Sequence, residues 1–248
     1  MTTIAIGRFP ARLVADRNVF LALTAMVWIG VLSGFGTDSV RHVLKHGLDY
    51  PLIVHFHAVA FVGFLVLFTV QVALIRNGRA DIHRRLGVAG AVLAGVMLAL
   101  GPATAVIVGA NRYVMRGTTP EFLAVQFTDI LAFGSLAGAG FLLRGTPSAH
   151  KRLMMLALIY ISDAGFARLL NAIASAPLGN GFLGDMVHLY LGSDLLVLGL
   201  GAYDLATRGR LHPAYIVGAV WMLTLQLTAR AALYSPTWKA FALHVIGH

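Results

Sequence analysis

Nine ionisable or amide side chains interrupt stretches of this sequence that are otherwise apolar: His57, Gln126, Asp129, Arg168, Asn171, Asp185, His188, Gln226 and Arg230. In hydrocarbon such groups are costly, face a bundle interior and mark a site. Gln126 and Asp129, Arg168 and Asn171, and Asp185 and His188 are spaced by three residues, and Gln226 and Arg230 by four, so each pair shares a helical face. Arg168 and Arg230 facing Asp129 and Asp185 would neutralise one another in one buried outer layer. A purely structural salt-bridge layer would use the same charges, but it does not need histidines from two helices beside them. Asp185-x-x-His188 also reads as a carboxylate that accepts an imidazole Nδ1 proton, leaving Nε2 for a metal or a proton. His57 shares a stripe with Phe61, Phe64, Phe68 and Gln71 and is expected to point inward. His55 continues into Val59, Val62 and Val66, a stripe suited to lipid.

The elements that must position these residues follow from composition. Of 248 residues, 58% are hydrophobic and 12% charged, and the mean hydropathy is +0.79, whereas a soluble domain carries roughly 25% charged residues. Seven apolar segments reach the length of about 20 residues that a bilayer core requires. They run over 18–36, 50–75, 85–110, 121–143, 152–176, 181–206 and 213–235. The expected fold is an all-α, polytopic helical membrane bundle forming one domain, 1–248, with the tail 236–248 lying at the interface. Twelve Lys and Arg fall at the N-terminus and in alternate loops, against five on the opposite side. That bias puts the N-terminus in the cytoplasm and the C-terminus outside, across the inner membrane of a bacterium. The basic excess is thereby assigned to topology, and no nucleic-acid partner is expected. Zero cysteines exclude disulfides, thiolate metal sites and iron–sulfur clusters.

On the cytoplasmic side, Ile82-His83-Arg84-Arg85-Leu86 and Ala149-His150-Lys151-Arg152-Leu153 are near-copies at two helix starts. They fit a weak repeat of the hairpins 55–110 and 121–176, and equally a basic cluster set by topology alone. Asp163 and Asp194 fall near mid-membrane beside Ser162 and Ser193. They read either as inert, protonated and hydrogen-bonded groups or as a proton or cation relay. His42 and His46, in the first outer loop, are four apart and could hold a metal, although a solvated loop explains them as well.

The run of His57, Gln71, His83, Arg84 and Gly87 resembles the His, Gln, His-Arg-x-x-Gly rhythm of cytochrome b561-type proteins and other haem-like multi-pass membrane proteins. The likeness covers 55–176 at most. It implies two haem b groups held by histidine pairs, His83 with His150 on the cytoplasmic side and His57 with a second helix outside. Where the family would place that outer partner, the fourth span offers Gln126 and Asp129, and the nearest histidine is His188. Depth matching agrees with both pairs, because spans three and five run outward together and spans two and six run inward together.

Three functions follow. The first is a redox protein binding haem b through His57, His188, His83 and His150, with Arg168 or Arg230 on the propionates and a quinone or another membrane subunit as partner. The second is a zinc or iron enzyme using His57, His188 and a carboxylate such as Asp129 or Asp185. The third is a proton-coupled transporter or assembly subunit working through Asp163 and Asp194. The shared premise is orientation, and a reporter fused to the C-terminus measures it. A reporter that works only outside the cytoplasm should be active there, and an active cytoplasm-only reporter would overturn the topology.

Overall fold

A computed structural model of the protein describes residues 15–173 and 181–248. Among the described residues the regular elements are all helical: α1 (Asp16–His46), α2 (Leu52–Arg76), α3 (Ala80–Arg116), a 3₁₀ turn (Pro120–Phe122), α4 (Leu123–Leu142), α5 (Pro147–Ile161), α6 (Asp163–Ile173), α7 (Phe182–Arg208), α8 (Pro213–Leu233) and α9 (Pro236–Val245). Among the described residues six helices are each long and apolar enough to cross a membrane, and α5 with α6, bent by 43°, brings the number to seven if that pair is counted as one span. The protein is therefore a polytopic helical membrane bundle. α1 and α3 extend well past the apolar segments that announced them, so His42 and His46 lie on the projecting end of α1 and not in a loop. The tail forms the short helix α9, whose first turn is capped by the Ser235 hydroxyl accepting from the Trp238 N–H at 3.3 Å.

The ring of the bundle runs α1, α2, α3, α4, α8, α7, α6 and back to α1, with α5 packed inside against α4, α8, α7 and α1. Burial along α5 states the same fact, because every residue from Met155 to Tyr160 is at most 2% exposed. A helix apolar on all sides is read as a buried one, and the MMLALIY run of α5 fits that place. Around it, Phe133 of α4 meets Phe64 of α2 edge to face at 5.2 Å, a geometry worth about 0.5–1.5 kcal/mol beyond area alone. Val59, Val62 and Val66 of α2 are turned outward, as an aliphatic lipid-facing stripe requires.

The fifth span breaks for a local reason. Ser162 Oγ donates to the Ile159 carbonyl at 2.7 Å and the Asp163 carboxylate takes its neighbour's Ala164 N–H, so two short polar side chains compete with the helix's own ladder. Beyond the break α6 leaves the interior and packs between α1 and α7. That approach needs glycine. A Cβ on Gly34 would stand 2.0 Å from the Gly165 carbonyl oxygen, and Phe166 sits against Gly30 on one side and Gly192 on the other. Gly30-x-x-x-Gly34 thus acts as the small-x-x-x-small seam by which membrane helices approach closely.

Gly34→Ala should force α6 off α1 and lower the thermal midpoint in detergent, on the scale of about 1–3 kcal/mol typical of overpacking. Gly138→Ala, where an added Cβ meets nothing within 4 Å, should leave the midpoint unchanged. Equal midpoints for the two variants would contradict this account of the crossing.

Candidate functional site

Four polar groupings stand in the bundle, and only parts of the expected outer layer belong to one of them. At the basic end, α1, α5 and α7 are tied by buried charges. Asp16 accepts from Lys151 Nζ at 2.6 Å, from Arg208 at 2.6 Å and from the Tyr203 hydroxyl at 2.7 Å. Arg152, 0% exposed, grips Asp204, also 0% exposed, through both Nε and Nη2, and Arg208 reaches the same carboxylate at 3.1 Å. His212 caps α8: its Nδ1 accepts the Ala214 N–H at 3.0 Å, which leaves Nε2 as donor to Ser148 Oγ at 3.2 Å. Burial, together with the nearby Arg152 cation, pushes the His212 imidazole below its ordinary range. Lys151, Arg152 and Arg208 counted as topology-setting loop cations in the sequence; Arg152 and Arg208 instead have wholly buried side chains and Lys151 is 80% buried, all three paired across helices.

Beside this cluster His83 of α3 and His150 of α5 meet, their ring centroids 6.1 Å apart and their planes nearly perpendicular. The His150 Nδ1 donates to the Gly140 carbonyl at the end of α4, 2.8 Å away, so in the neutral ring the proton sits on Nδ1 and Nε2 keeps its lone pair. His83 Nδ1 is buried with no hydrogen-bond partner. As a donor set, two imidazoles would suit a macrocycle that brings its own four equatorial nitrogens. A bare zinc or iron ion needs more, and among the described residues no group of three His, Cys, Asp or Glu converges to hold a metal.

The outer histidines differ. His57 points inward and stacks on Phe61 at 4.0 Å, but α2 packs on α1 and α3 whereas α7, which carries His188, packs on α6, α8 and α5. No ring contact joins them, so His57 and His188 are not brought together as a haem pair or as co-ligands of a metal. Depth could be counted from the sequence; which helices are neighbours could not.

The expected arginine–aspartate layer separates in the same way. Arg230 stands 3.4 Å from Asp185, flanked by Phe182 and Tyr234, whose hydroxyl donates to Asp185 at 2.8 Å and is held above its ordinary range by that carboxylate. Asp185 is thus engaged by Arg230 and Tyr234 and not by His188. Arg168 turns away from Asp129: its Nη1 donates to the Ala164 carbonyl, its Nε faces Asp38 at 3.4 Å, and it lies over Phe35. Gln126 lines a small cavity with Arg112 and Thr118. His42 stacks on Tyr50 and bonds Asp49 at 2.5 Å, and that hydrogen bond holds the Asp49 carboxyl below its usual range. Arg8, Arg12 and the side chain of Asn171 lie outside the described residues.

Asp129 of α4 and Asp163 of α6 form the fourth grouping. The two carboxyls are 8% and 2% exposed and within hydrogen-bonding reach of each other. Gln226 of α8 donates to Asp194 of α7 at 2.7 Å, and Tyr160 and Tyr190 stack nearby, centroids 6.3 Å apart. Comparison with protein-family models, with curated proteins and with solved structures finds no match. What the chain does has to be argued from these groupings.

Asp16, Asp204 and Tyr203 were missed in the sequence. Each sits within a turn or two of a helix end, where a carboxylate or phenol reads as solvated, and nothing local reveals a partner 135 or 192 residues away. Asp204→Asn should cost about 3–5 kcal/mol of stability, because it leaves the Arg152 guanidinium buried without its counter-charge. The double variant Arg152→Met, Asp204→Leu should recover most of that loss. Additive losses in chemical denaturation would show that the two side chains do not act as a pair.

Proposed function

We propose that the protein is a membrane redox protein that holds haem b between His83 and His150 on its basic side. The observation that carries this reading is the meeting of two imidazoles from different helices at one depth, one of them fixed by a backbone carbonyl. Haem bound there supplies one-electron chemistry. The chain's own part is to hold the ligands. Gly140 orients His150 through its carbonyl, α4 packs against both α3 and α5 and so spaces the pair, and the exposed Arg84 and Arg85 next to His83 are the cations that would meet carboxylates of the group. With a single centre on one side, the electron partner would be a lipid-soluble quinone or another membrane subunit reached from the basic face, the side that the charge bias favours as cytoplasmic.

Protein purified in detergent from cells supplied with haem should show a Soret band with sharp α and β bands. His83→Ala or His150→Ala should abolish it, while His57→Ala and His188→Ala should leave it in place. A wild-type protein without Soret absorbance, or a band indifferent to both inner substitutions, would remove the redox reading.

A further inference from the structure

The break in the fifth span places Asp163 at the first position of α6, about 15 residues or roughly 22 Å along the span from the start of α5. There it approaches Asp129 of α4, and among the described residues neither carboxyl forms an ion pair: Arg168, which faces the Ala164 carbonyl and Asp38, acts on Asp163 only at longer range. Asp163 Oδ1 takes the Ala164 N–H, while Asp163 Oδ2 and Asp129 Oδ1 receive no hydrogen bond from any donor among the described residues. Two further oxygens share this condition. The hydroxyls of Tyr160 and Tyr190 are unpartnered on side chains that are 0% exposed, and each stands within electrostatic range of Asp129, Asp163 and Asp194. Asp194 is satisfied by the Gln226 amide.

Four helices, α4, α5, α6 and α7, thus deliver oxygen atoms to one buried place where, among the described residues, no cation pairs directly with Asp129 or Asp163. A cluster of this composition cannot be filled by negative charge alone, since isolated carboxylates in hydrocarbon neutralise in preference to remaining ionised. A carboxyl within hydrogen-bonding reach of another carboxyl needs a hydrogen between them, as carboxylate oxygens only accept. A metal ion is a poorer occupant, because no third acidic or imidazole ligand converges on the pair among the described residues.

We propose that this cluster is a proton-binding site, in which Asp129 and Asp163 share one proton and exchange it with water from the face opposite the basic cluster. The direction follows from the packing. Toward the basic end the route is filled by α5, buried at every position from Met155 to Tyr160, and then by the Arg152–Asp204 pair. Toward the other face only five residues of α6, roughly 7.5 Å of helix rise, separate Asp163 from Arg168, whose side chain is 38% exposed. The chemistry balances without a co-reactant: an O–H bond on one carboxyl breaks as that on the other forms, and the proton returns to water. The site is independent of the haem reading.

Infrared spectroscopy of the protein in lipid nanodiscs reads it directly. Near neutral pH, wild-type protein should show the C=O stretch of a buried protonated carboxylic acid, shifted on transfer to deuterated water. Asp129→Asn and Asp163→Asn should each shift that band, because the carboxyl left behind loses the other as its partner, and the double variant should remove it; Asp38→Asn should keep the wild-type band, and the substitutions should leave any Soret absorbance unchanged. Sodium chloride in place of choline chloride should not alter it. Absence of the band in wild type, an unchanged band in both single variants, its survival in the double variant, or its loss on adding sodium would overturn the proposal. The wild-type spectrum decides the first of these even if a variant fails to fold.

Discussion

In a bilayer a helix gains nothing by hiding apolar side chains from lipid, so an interior helix is kept in place by close packing and by polar contacts at its ends. α5 is the helix in that position, and the rest of the bundle is arranged by how it is held. Arg152 and Lys151 anchor its basic end to α7 and α1. Its other end stops at Ser162, where the chain turns aside. Each candidate site borders one of those two ends: the histidine pair and ion cluster at the first, the carboxyl and phenol oxygens at the second.

The turn aside is made possible by residues that carry no chemistry. Gly34 and Gly165 let α6 come into backbone contact with α1, and Phe166 fills the space between Gly30 and Gly192. Were α6 to continue along the axis of α5, it would occupy the space that the carboxyl pair now faces. Small side chains on the ring are thus what leaves polar atoms room inside it.

How much of this was legible in the sequence depends on the range of the interaction concerned. Hydropathy revealed the spans, because lipid acts on every residue of a helix alike. His83 with His150 was legible because two similar phrases fell at equivalent helix starts. The His57–His188 pairing failed because equal depth says nothing of who is next to whom around a ring. Asp163 and Asp194 announced themselves as carboxylates too deep to be solvated, yet the partnership of Asp163 with Asp129 depends on a bend that no proline marks. Arg152 and Arg208 misled because a cation near a helix end has the same sequence signature whether it meets water or a buried aspartate.

α7 carries members of both buried polar groupings on one uninterrupted rod: Asp204 and Arg208 in the ion cluster, Asp194 and Tyr190 among the oxygens. Ten residues, roughly 15 Å of helix rise, lie between Asp194 and Asp204. Across that length a continuous helix transmits axial displacement with little loss, because its hydrogen-bonded turns compress poorly. α5 spans the same interval with Arg152 at one end and Tyr160 toward the other. The two helices run in opposite chain directions, tied at the basic end by Arg152 and Asp204 and meeting again where Tyr160 stacks on Tyr190.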